Sequence, residues 1–328
     1  MTSPERDYLG LDVGGTFLKG ARVSAAGLIL ERLHEPIAAG STEALLAQLC
    51  AAVATLGGGL AGGSVGVGLP GIVDRGRRVQ NAPALPALNG VAVAEAVGRR
   101  TGLRVHLEND ANAAGLAEAW IGSGRDVGSV LFVTLGTGIG AGLVLDGRVW
   151  AGRSGYAGEL GHFQVEPGGE LCPCGSRGCL ETVAGAPGWK RRAEERLSRT
   201  PSSLLAGRML EPKTIVEAAR AADVVALEVV NGAAAALGVG LAAALDLLNL
   251  ERVVIGGGVS AAGAFLFDRI VAETRRRTFS HVFADCSFRL AALGSDAGVL
   301  GAARVAMLAE ADEPSSSGST TAGSLGSV

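Results

Sequence analysis

The chain of 328 residues is long enough for two domains of ordinary size, at about 100 to 200 residues each. A hydrophobic content of 48% against only 4% aromatic implies a core of Ala, Val and Leu, and 51 glycines imply many tight turns and close backbone approaches. With 29 basic against 32 acidic residues and a net charge of -3, the chain lacks a broad positive footprint for a nucleic-acid backbone, so no nucleic-acid partner is expected.

The N-terminal stretch MTSPERDYLGLDVGG has early acidic residues and no apolar run of signal-peptide length, which sets the expectation of a cytoplasmic protein. Residues 8–33 alternate and turn as a β-meander: YLGLDV, FLKGARV, a SAAG turn, then LILERL. Ser41 to Leu56 has a capping Ser and helical apolar spacing, with Cys50 inside it as a small buried hydrophobe. SVGVGLP (64–70) and IVDRGRRVQ (72–80) read as strands around a Pro-Gly turn, and Val91 to Arg100 as a helix. RVHLEND (104–110) is a short strand whose polar residues gather at its end, where a helix from Ala111 to Trp120 begins. Alternating strands and helices make the class α/β.

From about Val130 a similar block begins. VLFVTL and AGLVLDG are strands joined through GTGIG, as YLGLDV and FLKGARV are joined through GGT about 120 residues earlier. A duplication of this kind would set two Gly-rich turns facing each other across a cleft. Lys190 to Arg199 and Thr214 to Ala222 read as helices. The apolar segment Val229 to Leu245 has 17 uncharged residues, short of the roughly 20 that span a bilayer, and its Ala and Gly content points to a buried core helix rather than a membrane span. RVVIGGGVS (252–260) is a strand opening into a helix near Ala262 to Arg275, FRLAAL (288–293) the last strand and Val299 to Leu308 the last helix. Residues 310–328 have no apolar periodicity and are expected to be a disordered tail.

Four stretches carry chemistry. GELGHFQVEPGGELCPCGSRGCLE (158–181) holds His162, Cys172, Cys174 and Cys179, a tetrahedral ligand set for structural Zn²⁺, while Glu159 and Glu181 bracket it. Disulfide pairing or idle thiols are the alternative, against which stands the unpaired Cys it would leave. DVGGT places Asp12 at a strand end, with Gly14, Gly15 and Thr16 able to crowd N–H groups around an anion; Asp12 could hold Mg²⁺, and Lys19 could add charge. An ordinary hairpin remains the other reading. LGTGIGAG (135–142) supplies Gly136, Thr137 and Gly138 as a second such turn, and GGGVS (256–260) brings Gly257 and Gly258 as a third, for a nucleotide base or ribose; neither is a Walker A loop. In ENDANAA (108–114), Asp110 can take the proton of an attacking hydroxyl during phosphoryl transfer, or cap the following helix, or both. Asn109, Glu159, His162 and Glu181 suit a polyol.

On DVGGT, ENDANAA, LGTGIGAG, GELGH, CPCGSRGCLE and VVIGGGVS, in that order, the sequence resembles the ROK family of sugar kinases and sugar-responsive repressors, and most closely its bacterial glucokinases. The resemblance covers Tyr8 to Leu308. It implies an actin-like fold of two α/β domains, each on a ribonuclease-H-like core, with ATP and sugar meeting between them. We divide the chain accordingly: residues 1–120, with helix 297–309 packing back on them; residues 121–296, containing the zinc loop; and the tail. The resemblance further implies structural Zn²⁺ on His162, Cys172, Cys174 and Cys179. Asp110 is then the base, Asn109, Glu159, His162 and Glu181 contact the sugar, and DVGGT with LGTGIG holds the ATP phosphates and Mg²⁺. Where relatives carry a second Asn, this chain has Ala84, so that sugar contact falls on Asn81 or is missing; after Glu181 it reads TVAGAPGW where relatives show Ala-Ser-Gly. The expected activity is ATP-dependent phosphorylation of glucose at the 6-hydroxyl, with another hexose or N-acetylhexosamine as the alternative substrate. A repressor is set aside, because Asp12 leaves no room before it for a helix-turn-helix. A homodimer or homotetramer is expected.

Overall fold

In a computed structural model, residues 6–38, 40–57, 63–74, 78–258 and 262–312 are described. The apolar run after Arg6 forms β1 (Asp7–Val13), which pairs antiparallel with β2 (Phe17–Ser24), itself paired with β3 (Ile29–Pro36). Ser41 then starts α1 (Thr42–Leu56) by accepting the Ala44 N–H on its hydroxyl, as its type and position predict. Two parallel strands complete the sheet: β4 (Ser64–Leu69), buried throughout, and β7 (Arg104–Asn109), giving the order β3-β2-β1-β4-β7. Between them lie a ribbon of β5 (Ile72–Asp74) and β6 (Arg78–Gln80) and helix α2 (Val93–Thr101), which ends at Gly102 in the left-handed region. The segment 72–80 is thus its own two-stranded ribbon instead of one strand beside 64–70, and residues 75–77 lie outside the described residues.

The second half repeats the plan. Strands β8 (Ser129–Leu135), β9 (Ile139–Leu145), β10 (Arg148–Val149), β11 (Arg252–Gly256) and β12 (Ser287–Leu290) form a sheet in the order β10-β9-β8-β11-β12. In both sheets a meander is followed by two parallel strands on the far side of the first strand. The helices on the second sheet are α4 (Leu180–Ala184), α5 (Ala186–Leu197), α6 (Pro212–Arg220), α7 (Val224–Leu248), α8 (Ala264–Arg275) and α9 (Ser280–Asp285). Helix α5 starts four residues before the sequence expectation because Pro187, lacking an N–H, suits a first turn where that donor has no partner. Helix α7 has 25 residues, extended by an Asp223 cap and ended by Asn249 at φ 47°; among the described residues it alone is long and apolar enough to cross a membrane. Val229, Val230, Leu237, Leu241 and Leu245 bury it in the main core of this half, as expected.

Two helices are exchanged between the halves. Helix α3 (Asp110–Ile121) follows the first sheet but packs its Leu116 with Val130, Phe132 and Val254 of the second. Helix α10 (Ala297–Ala311) follows the second sheet but lies on the first, so close that a Cβ at Gly10 would fall 2.0 Å from Val299 O, and one at Gly66 1.7 Å from Ala302 O. The exchanged helices meet at Gly301, whose missing Cβ admits Ala113 O. Since α10 runs to Ala311, the expected tail overlaps its end; residues 313–328 of that tail lie outside the described residues.

Candidate active site

The parallel strands of the first sheet end in a row: Asp12 on β1 stands beside Gly68 on β4, and Gly68 beside Glu108 on β7. In open α/β sheets such C-terminal strand ends are where ligands bind. Burial raises the Asp12 carboxyl above the ordinary range, against an opposing pull from Lys19 on the neighbouring strand. The start of α10 closes over Asp12 through Gly298, where a Cβ would lie 2.4 Å from Asp12 Oδ2. Lys19 Nζ donates to Ser295 O at 3.3 Å. Its ammonium therefore ties β2 to the turn before α10.

Asp110 is the first residue of α3. Asn109 is the cap, with its Oδ1 accepting the Asn112 N–H at 3.0 Å. That corrects the expectation of an Asp110 cap and leaves the Asp110 carboxylate held only by local donors, such as the Ala111 N–H at 2.8 Å. Burial first, and then the negative charge of Asp12, push Asp110 from 3.8 up to about 6. Asn109 also donates from Nδ2 to Gly71 O at 2.9 Å, so this amide is largely committed to holding the Pro-Gly turn and the helix start. Sequence reasoning passed over Glu108 and Asn112 as separate actors. Glu108, raised by burial, accepts the Asn109 N–H at 2.8 Å and Asn112 Nδ2 at 2.9 Å, and so fixes the base's frame from behind.

The two Gly/Thr turns are alike in a way the sequence does not show. Gly14 N–H donates to Phe17 O at 2.9 Å and Gly136 N–H to Gly138 O at 3.0 Å. One N–H of each turn is thus consumed in closing it, and the expectation that these amides face an anion does not hold for Gly14 or Gly136. Ala84 of the NAPAL segment lies against Gly15, its Cβ 3.2 Å from where a Gly15 Cβ would be. Asn81, at φ 46°, lines a cavity of about 410 Å³ together with Thr137, Gly138, His162, Glu181 and Arg191. Contributions from both halves of the chain thus share one cavity. Arg191 had no signal in the sequence beyond being one charge of a helix. Gly258 lines a second cavity of about 340 Å³ with Lys213, Glu217 and Arg220, and Gly257 adopts φ 89°, while Val259 and Ser260 lie outside the described residues.

In the 158–181 segment the ligand atoms of His162, Cys172, Cys174 and Cys179 all lie within 4.8 Å of one another. Cys172 Sγ is 3.5 Å from His162 Nδ1, and the Cys174 and Cys179 sulfurs are 3.7 Å apart. Ligands about 2.0 to 2.3 Å from a tetrahedral Zn²⁺ stand about 3.5 to 3.8 Å from each other, so the set fits zinc, and all five cysteines are free of disulfides. Gly175 and Gly178 take φ 91° and 69°, the wrap anticipated for them; at Gly178 a Cβ would also strike Glu166 O at 1.7 Å. Arg192 on α5 holds the loop by pairing with Glu166 at 2.6 Å. Burial raises the Cys172 and Cys179 thiols, whereas the Ser176 N–H lowers Cys174.

The bracketing glutamates join this cluster. Glu181, in the first turn of α4, accepts from Cys172 Sγ at 3.0 Å and lies 3.5 Å from His162 Nδ1. Its other oxygen would be 2.9 Å from a Cβ at Gly138, so only glycine there lets the turn meet the carboxylate. Glu159, raised by burial, lies 3.7 Å from His162 Nε2. Ala186 N–H donates to Gly136 O at 3.0 Å, fastening the second turn to the end of the zinc segment. A buried carboxylate near neutrality, two Gly/Thr turns and a polar wall braced by a metal-binding set thus converge on one cleft.

The model of the ROK family matches residues 8–309. The chain belongs to the ROK family. It is 36% identical over 309 residues to a glucokinase of Thermotoga maritima, covering 92% of this chain and 98% of that one. Among solved structures, a ROK hexokinase from Thermus thermophilus superposes with a TM-score of 0.83 at 32% identity, covering 94% of this chain and all of that one. A ROK glucokinase from Streptomyces griseus, in complex with glucose and AMPPNP, superposes at 0.78 with 35% identity over 92% of this chain and 100% of that one. The fold is accordingly the actin-like one, in which two α/β halves of like topology flank the cleft.

Proposed function

We infer that the chain is an ATP-dependent glucokinase, transferring the γ-phosphoryl group of ATP to the 6-hydroxyl of glucose. The observation that carries this reading is Asp110, a buried carboxylate at about 6, at the start of α3 in the cleft region shared by both halves. Transfer to an alcohol needs a base within hydrogen-bond reach of the hydroxyl and with a pKa near working pH. The relatives named above, one of them holding glucose and an ATP analogue, share its family and nearly its full length.

In this reading, Asp110 accepts the proton of the 6-hydroxyl as its oxygen attacks the γ-phosphorus in line, and ADP leaves. Glu159, His162, Glu181 and Asn109 accept or donate to the other hydroxyls, and Asn81 stands at the cavity where the second Asn of relatives is missing. Thr16 and Thr137 offer hydroxyls to the phosphates beside the turn amides not spent on hairpin closure, with Gly14, Gly15, Gly136 and Gly138 keeping the backbone close. Asp12 is the carboxylate placed to receive a Mg²⁺ ion arriving with ATP, a charge that would neutralise phosphate oxygens. Lys19 is drawn toward Ser295, so its part is to steady the turn and to lend Asp12 positive potential. Gly257 and Gly258 border the cavity with Lys213 and Arg220, which suits the base or ribose. Zn²⁺ on His162, Cys172, Cys174 and Cys179 would be a clamp with no open position for water.

The division into residues 1–120 and 121–296 is supported by the two sheets, with α10 on the first. A homodimer or homotetramer rests on the family resemblance, and light scattering tests it. The deciding experiment gives purified protein Mg-ATP with glucose, mannose, fructose or N-acetylated hexosamines, and follows ADP release. Fastest turnover on glucose is expected; no turnover on any hexose defeats the reading, and faster turnover on another sugar redirects it.

A further inference from the structure

Helix α3 carries a second carboxylate that the chemistry above does not use. Glu118 is 0% exposed, yet no arginine or lysine pairs with it among the described residues. Three backbone amides hold it instead: Ser123 N–H at 2.8 Å and Ala292 N–H at 3.2 Å on Oε2, and Leu293 N–H at 2.8 Å on Oε1. Buried carboxylates are costly unless satisfied, and charge-assisted bonds of this kind are the strong ones.

The donors sit where the chain changes halves. Ala292 and Leu293 lie between β12 of the second sheet and α10, which belongs to the first. Ser123 follows the end of α3, and its hydroxyl donates across to Leu290 O at 2.6 Å. Arg252 on β11 then donates to Ser123 O at 3.0 Å and Arg125 O at 2.8 Å, anchoring the same corner to the second sheet. The other crossing, from β7 into α3, is Asn109–Asp110 itself. One helix thus joins both crossings, with the base at one end and Glu118 eight residues on, about 12 Å along the axis.

We propose that Glu118 is the pin of the interlobe hinge, a positioning residue that governs how readily the two halves close and bring Asp110 to the sugar wall. The proposal rests on the kinase reading for what closure accomplishes, but its geometry is independent of the substrate. Rotation of α10 relative to α3 must pass through Ala292 and Leu293, and the Glu118 carboxylate limits that movement to what three amide bonds allow. Replacing it by an amide puts an NH₂ group against at least one of those N–H donors.

The test compares wild type with Glu118→Gln. Loosening the pin raises the open population, so substrate must supply more of the closure. Glucose KM should rise about 5- to 20-fold while kcat at saturation stays within about threefold. Small-angle scattering should show a larger ligand-free radius of gyration and a larger contraction on adding glucose. A folded Glu118→Gln protein with wild-type KM and scattering overturns the proposal, as does a loss confined to kcat. If that variant does not fold, Ser123→Ala, which removes only the bond to Leu290, should shift KM the same way by about two- to threefold. An unchanged KM in Ser123→Ala then overturns it. Wild-type scattering indifferent to glucose also defeats the hinge, whereas absent wild-type ADP release defeats the kinase reading instead.

Discussion

The two halves share one strand order and differ at one place. In the first, the third strand ends at Pro36 and α1 begins at Thr42; in the second, β10 ends at Val149 and α4 begins only at Leu180. Into that longer interval the chain fits the zinc-binding set and both bracketing glutamates. The first half offers the cleft buried carboxylates, Asp12, Glu108 and Asp110, each raised by burial. The second offers a polar wall that a short loop could not hold by itself. Reactivity thus comes from burial on the side of the bare scaffold, and recognition from an insertion that needs its own brace.

If that contrast is right, the largest effect belongs to the first half. Asp110→Asn should lower kcat by about 10²- to 10⁴-fold, while calorimetry still finds glucose binding. The same group sets the pH response. Its folded value of about 6 lies above the ordinary 3.8, so the neutral form is favoured by folding. The wild-type kcat/KM should fall as pH drops through about 6. Stability runs oppositely: ionisation of Asp110 costs the fold about 3 kcal/mol at pH 8, a cost that disappears as pH falls from 6 to below 4. Asp110→Asn should therefore be more stable than wild type at pH 8 by an amount of that order, and the gap should close by pH 4 in denaturant titrations. Equal stability at both pH values would remove the claim that burial tunes this half.

The second half should answer to metal. Chelation, or Cys179→Ala, should lower the melting temperature and weaken glucose affinity by about tenfold or more, since ligands and their supporting carboxylates hold one another in place. Zinc-free folded protein with unchanged glucose affinity would mean that Glu159 and Glu181 need no brace, and the contrast between the halves would fail.

Much of this was legible before any coordinates. Alternation gave the two meanders because each strand has one face on a core, and Ser41 announced α1 because a hydroxyl there satisfies an amide with no partner in the helix. The four metal ligands were legible because few other roles suit three cysteines and a histidine in a Gly-rich loop. What stayed hidden was long-range. Helix α9 buries none of its residues and so leaves no periodic trace, and α4 is too short to show one. Glu118 reads in sequence as an ordinary mid-helix glutamate, because its donors lie about 170 residues away on a crossing whose position only the fold defines. The loss of the Gly14 and Gly136 amides to their own turns was hidden as well, since composition reveals that a turn is tight without revealing which N–H closes it.

The smallest effects test where the halves touch. Helical Gly→Ala changes normally stabilise by up to about 1 kcal/mol through backbone entropy. At Gly301 the new Cβ would fall 1.7 Å from Ala113 O, which is backbone on the facing helix and cannot rotate away. Overpacking of this kind costs about 1 to 3 kcal/mol, so Gly301→Ala should be net destabilising in chemical denaturation and should raise glucose KM by forcing α10 from α3. Gly232, on α7 within the second half alone, has nothing within 4 Å of its Cβ position. Gly232→Ala should therefore stabilise by about 0.5 to 1 kcal/mol and leave KM untouched. The same substitution with opposite signs at the two sites would assign the contact between the halves to the α3–α10 crossing; a stabilising Gly301→Ala would show instead that these helices can part without consequence.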